Sequence, residues 1–186
     1  LIYILSATDP DQRNLIYTAS SSNGLVSLDG PTLSFMPPEN YNGEVIIDVT
    51  VSDGQLTDTG SFIVTVIAVN DAPILITLDD ASILEDDILI YSLLATDIDG
   101  DDLTYIASVD YGDVSIEETT LFLTPPLNYN GDIIVSVTVS DGELTDTGNF
   151  TVTVTPINDA PIAYDSLATT QEEVSIDITL IADDID

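Results

Sequence analysis

The sequence predicts an all-β protein built of tandem seven-stranded Greek-key β-sandwiches, joined head to tail. Three observations predict it. Residues 1–74 align on residues 89–162 without a gap at an offset of 88, with 44 of 74 positions identical, which is the signature of a duplicated structural unit. Short runs rich in Val, Ile, Leu and Thr alternate apolar and polar positions with a period of two. Gly, Pro, Asn and Asp punctuate those runs, and no stretch carries a helical stripe.

The repeat is anchored by NYNG at 40–43, which recurs at 128–131, and by NDAPI at 70–74, which recurs at 158–162. It divides the chain into residues 1–70, a repeat lacking its first strand; residues 71–158, a complete repeat; and residues 159–186, the N-terminal part of a third. The third begins to repeat the pattern when LIADDID at 180–186 echoes LLATDID at 93–99 after a one-residue deletion. In the complete unit seven runs read as strands, at 74–83, 88–96, 103–109, 113–116, 120–124, 133–140 and 147–155. Seven strands in about 88 residues, with closely spaced turns, fit a Greek-key sandwich. In the last run Phe150, Val152 and Val154 should face the core while the intervening Thr residues face water. Tyr129 stands just before the sixth run, where sandwiches place a corner tyrosine whose hydroxyl pins the preceding loop.

Charge narrows the partners. The 34 acidic residues face a single base, Arg13, with no Lys or His, for a formal net charge of −33. Phosphate backbones and anionic membranes would be repelled, so nucleic acid is excluded as a partner. A 44% hydrophobic content dominated by sheet formers means that the acids decorate a folded surface and not a disordered chain. Divalent ions that prefer oxygen would relieve the self-repulsion, and Ca2+ leads among them. Without Cys or His there is no disulfide framework, no zinc site of the usual kind and no thiol nucleophile. No apolar run approaches the roughly 18 residues of a membrane span. Leu1 opens in mid-strand with no signal sequence, so the sequence reads as a fragment of something longer.

Alternating strand direction gathers the loop at 97–102, the loop at 141–142 and the N-terminal linker at one end of the sandwich. Those segments carry Asp97, Asp99, Asp101 and Asp102 in ATDIDGDDLTY, Asp141 in VSDG, and Asn70 and Asp71. Calcium takes six to eight oxygens from carboxylates, amides and backbone, and this set offers them from two consecutive domains. Asp and Gly also shape turns in any sandwich, but turn chemistry does not require so many acids at one end.

These residues resemble the cadherin superfamily, more closely the bacterial cadherin-like, Ig-like tandem repeats of large surface adhesins. ATDIDGDDLTY resembles the cadherin DxD loop, VSDGELTDTG the segment leading into the last strand, and INDAPI the linker that ends a cadherin repeat. The resemblance implies that calcium bound at each junction stiffens a string of domains serving as a stalk or in adhesion. Carried over residue by residue, one junction would use Asn70, Asp71, Asp97, Asp99 and Asp141, and the next Asn158, Asp159, Asp184 and Asp186, with Glu85 added where cadherins place a glutamate after the first strand. The first repeat offers Asp9, Asp11 and Asp53, although DPDQRN puts Arg13 and Asn14 where the second has acids, so its upstream site should be weaker. Two departures stand out: PPLNYNG lacks the acidic pair that cadherins carry before the sixth strand, and NDA is shorter than the family's acidic linker, so fewer or looser ions are expected.

The functional expectation is a non-enzymatic, extracellular stalk or spacer whose partners are the neighbouring repeats of the same chain. Two alternatives stay open: homotypic assembly into fibres through edge strands, and a module that binds a glycan or protein. Catalysis is disfavoured because no acid and base assignment is coherent in loops repeated in each unit. Membrane insertion of this segment is not expected.

Overall fold

The computed structural model describes residues 1–185 and forms two compact units, Leu1–Asn70 and Asp71 onward. All regular structure among the described residues is strand. No helix is long and apolar enough to cross a membrane.

In the first unit six strands follow in order: β1 (Ile2–Ile4), β2 (Ile16–Ser21), β3 (Leu25–Asp29), β4 (Thr32–Met36), β5 (Gly43–Ser52) and β6 (Thr57–Val66). They form two three-stranded antiparallel sheets, ordered β1-β4-β3 and β2-β5-β6. Alternation puts Leu33 and Phe35 of β4 and Val45 and Ile47 of β5 on the facing sides, where they form the buried core. Each such side chain contributes about 1.5–3 kcal/mol on leaving water.

The second unit repeats this plan and adds to it. It contains β7 (Ile74–Leu75), β8 (Ala81–Leu84), β9 (Leu89–Ser92), β10 (Ala95–Thr96), β11 (Thr104–Val109), β12 (Asp113–Glu117), β13 (Thr120–Thr124), β14 (Gly131–Ser140) and β15 (Thr145–Thr155). One sheet runs β11-β14-β15-β8, with β8 parallel to β15, and the other runs β12-β13-β9. The core between them is Leu121, Leu123, Ile133, Val135, Val137, Phe150, Val152 and Val154 with Leu89 and Leu93. The inward face expected for Phe150, Val152 and Val154 is therefore the observed one. Two further strands, β16 (Ile162–Ala163) and β17 (Ala182–Asp183), pair antiparallel. Their register, Ile162 opposite Asp183, matches that of β7 and β10, with Ile74 opposite Thr96.

The first run of the complete repeat is two strands, not one. Ile74–Leu75 pairs with β10, whereas Ala81–Leu84 crosses to the other sheet and pairs with β15. The crossing is held by side chains: the Tyr91 hydroxyl accepts from the Asp79 N–H at 2.8 Å and donates to its carbonyl at 3.1 Å, and Asp80 Oδ1 accepts the Thr151 N–H at 2.7 Å. These bonds satisfy backbone groups that a sheet would otherwise have to pair. The run at 88–96 breaks similarly at Leu93 and Leu94, where Leu93 donates to the Thr119 carbonyl and Leu94 accepts from Ile76.

Tyr129 has a different task from the one expected. Its hydroxyl donates to the Asp132 carbonyl at 2.9 Å, so it pins the start of the following strand and not the preceding loop, and Tyr41 does the same to Glu44. The ring lies over Gly131, whose φ of +134° and crowded α-carbon, 3.2 Å from the tyrosine oxygen at the Cβ position, explain the glycine of NYNG.

Candidate metal centre

The loop between β10 and β11 is organised by its first aspartate. Asp97 Oδ1 accepts the N–H groups of Asp99 at 2.8 Å, Gly100 at 3.0 Å and Asp101 at 3.4 Å, the self-capping geometry that favours Asp in turns. This wraps the chain around its own carboxylate and places side chains two residues apart on one side. Oxygens of Asp97, Asp99 and Asp101 all fall within 4.8 Å of one another. Asp97 Oδ2 is buried and has no hydrogen-bond partner among the described residues. A carboxylate oxygen shut from water without a donor is costly, and a bound cation removes that cost.

Neighbouring segments converge on the same loop. The Asp71 N–H donates to Asp99 Oδ2 at 2.8 Å, which ties the start of the unit to the cluster. Asp141, after β14, caps its own turn by accepting from Glu143 and Leu144 at 2.7 and 2.6 Å. The Asp101 carboxyl is pushed above its ordinary pKa of 3.8, first by loss of solvation and then by the charges of Asp97, Asp99, Asp141 and Asp102. Asp97, Asp99, Asp141 and Asp71 thus lie at one end of the unit, together with Asp101. Asp101 was not in the expected ligand set, although the DxDxD spacing of 97–101 signals it. Asn70 closes the first unit.

At the opposite end, Glu85 is 4% exposed and accepts from the Ile157 N–H through Oε1, so it sits against the linker that leads to Asn158. Asp86 Oδ1 accepts from the Asn128 N–H at 2.9 Å. The Asn158 amide donates to the Asp159 carbonyl at 2.8 Å. Asp159 and Asp184 line one hollow of about 480 Å³ with Asn128, Asp183 and Tyr164, and Glu85 lies outside that lining. Asp186 lies outside the described residues.

In the first unit Asp9 repeats the turn, accepting from Asp11 at 2.6 Å and Arg13 at 3.4 Å through Oδ1. Where the second unit has Asp101, however, it has Arg13, whose Nη1 reaches Asp53 Oδ2 at 3.2 Å and Gln55 Oε1 at 2.8 Å. Asp53 is held below its ordinary pKa chiefly by the N–H groups of Leu56 and Gln55, with a smaller contribution from Arg13. A fixed cation therefore bridges the two loops that, in the second unit, bring only acids together.

Fold and site together define a tandem β-sandwich protein with acid-rich loops at the ends of its second unit. The chain belongs to the bacterial Ig domain family, which matches residues 1–65 and 70–153. Among solved structures it is similar to the human protocadherin-24 EC1-2 form II, at 19% identity over 82% of this chain and 86% of that one, with a TM-score of 0.57. A second structure of human protocadherin-24 EC1-2 matches at 16% identity, 83% and 88% coverage and a TM-score of 0.53. These likenesses establish a cadherin-like, Ig-like sandwich fold. An endo-fucoidan hydrolase from glycoside hydrolase family 107 also matches, at 22% identity and a TM-score of 0.38; the matched region covers 84% of this chain but 26% of the hydrolase. No curated protein matches the chain.

Proposed function

We propose that this chain is a calcium-stiffened structural repeat of an extracellular adhesin or surface fibre, a stalk or spacer without catalytic activity. The observation that carries it is the buried, donor-less Oδ2 of Asp97 inside a trio of carboxylates. The donors are all oxygen and all anionic, the chemistry that a hard divalent cation takes. Asp97, Asp99 and Asp101 would hold the ion, with Asp141 and the linker residues Asn70 and Asp71 completing it. Asn158, Asp159, Asp184, Asp186 and Glu85 would form a second set. Asp9, Asp11 and Asp53 form the weakest, because the Arg13 guanidinium already bridges its loops.

Calcium supplies no bond-making chemistry here; it neutralises acids and ties loops to linker. Extracellular modules bind it at about 10⁻⁴ to 10⁻³ M, so a tenfold excess over that constant adds about 1.4 kcal/mol per site. The sandwiches, whose cores are apolar, therefore fold without metal, and calcium restricts the junctions. Family membership and a cadherin-like fold support an extracellular spacer, as does a charge of −33 that keeps neighbouring chains apart.

Calorimetric titration of the chain with calcium tests this reading, beside a variant carrying Asp97→Ala and Asp99→Ala. Saturable binding that loses one class of sites in the variant is expected. Equal heats from both proteins would overturn it.

A further inference from the structure

The turn that enters β12 reads DYGD at 110–113, whereas its counterpart entering β3 reads SNGL at 22–25. The two turns share their construction. Gly24 and Gly112 have φ of +79° and +84°, and the Cβ position of each presses on the carbonyl of an equivalent residue, Met36 or Thr124. Ser22 Oγ accepts the Ile46 N–H at 3.0 Å, and Asp110 Oδ1 accepts the Ile134 N–H at 2.9 Å. Asn23 Oδ1 accepts the Gly24 N–H at 2.9 Å. The first unit thus builds this turn from uncharged residues with no aromatic ring, so the fold requires neither the charge of Asp110 nor the ring of Tyr111. What the second unit gains is a ring among carboxylates. Tyr111 stacks on Tyr129 at 5.3 Å and an interplanar angle of 24°, yet it is 53% exposed, which leaves the other face of its ring to solvent. The Tyr129 phenol is held above its ordinary pKa of 10.0, first by loss of solvation, then by Tyr111 and the charges of Asp110 and Asp132. Both carboxylates therefore act on the tyrosine pair, and Asp113 adds a third acid to the turn where the first unit has Leu25.

We propose that the turn at 110–113 is a binding site for an arginine side chain of a basic partner protein, whose guanidinium stacks on the free face of Tyr111 and is held by the carboxylate of Asp110. The negative face of an aromatic ring attracts a cation, and a guanidinium is the cation that can stack flat on a ring while donating to a carboxylate at its edge. Charge selects the same ligand, since neighbouring acids strengthen the attraction for a cation and oppose an anion. The 186 residues do not supply the group themselves. Their one basic side chain is Arg13, and its guanidinium is engaged by Asp53 and Gln55. The arginine therefore comes from another molecule. None of the carboxylates at this turn belongs to the sets assigned to calcium, so the two kinds of binding are separable.

The test is NMR titration of the full 186-residue chain, in chelator and at physiological ionic strength, with the blocked peptide acetyl-Gly-Arg-Gly-amide. Saturable shifts are expected at the Tyr111 ring and at the amides of 110–113. Tyr111→Asn and Asp110→Ser each place at the turn the residue type that the first unit carries there, so the fold has a precedent for both. Each should weaken binding about fivefold, whereas Tyr111→Phe, which keeps the ring, should bind within about twofold of the unaltered chain. Absence of a saturable shift at Tyr111 would overturn the proposal. Shifts spread evenly over the acid loop at 97–102 and indifferent to these variants would also overturn it, because they would mean attraction by net charge alone. So would an equal response at Tyr111 to a neutral disaccharide.

Discussion

Position 13 and its counterpart, position 101, separate two ways of managing crowded carboxylates. An arginine at the first position bridges Asp53 and Gln55, while an aspartate at the second adds a third acid to Asp97 and Asp99. Substituting Arg13→Asp gives the first loop the three-acid spacing of 97–101. Calorimetry should then show an additional calcium-binding event; unchanged stoichiometry would mean that the acid spacing is not what makes a site. Proton binding should separate the same two loops in calcium-free protein. Asp53 is shifted below 3.8, so the fold favours its ionised form, and its stabilising contribution is complete above that value and lost as pH falls through the depressed pKa. Asp101 is shifted above 3.8, so its contribution is complete when protonated and lost as pH rises through the raised pKa. Carboxylate NMR titration should place the Asp53 midpoint below 3.8 and that of Asp101 above it, and the reverse order would contradict the described loop geometry.

At the scale of elements, tight turns between strands depend on a few glycines. Gly112, at a φ of +84°, enters β12 so close to β13 that a Cβ would lie 2.4 Å from the Thr124 carbonyl. Gly112→Ala should cost about 1–3 kcal/mol in chemical denaturation, and a loss within error would mean that the turn relaxes freely. Strands with strict alternation were legible from sequence: 120–124 is unchanged as β13, and 133–140 gains only two residues as β14. The run at 74–83 was not legible as two strands. Periodicity records which residues are apolar, whereas the switch of sheets at Asp79 and Asp80 depends on Tyr91 and Thr151, which are distant in sequence. Tyr129 was misassigned for a related reason: its position marks a corner, but only the fold reveals which carbonyl its hydroxyl meets. The acid loop at 97–101 was legible because its turn is local, and Asp101 was missed by carrying over a two-acid pattern where the chain has three.

For the whole molecule, an offset of 88 residues carries most of the information, since it relates two sandwiches whose differences are as instructive as their likeness. One brings the carboxylates of Asp97, Asp99 and Asp101 together; the other sets the Arg13 guanidinium against Asp53 at the equivalent place. The central claim is that calcium turns a jointed chain into a stiff one without being needed to fold each sandwich. Small-angle scattering of the full chain, with calcium and then with excess chelator, tests it most directly. The account predicts a greater maximum dimension with calcium, while strand content by circular dichroism stays the same; superimposable scattering profiles in the two conditions would contradict it.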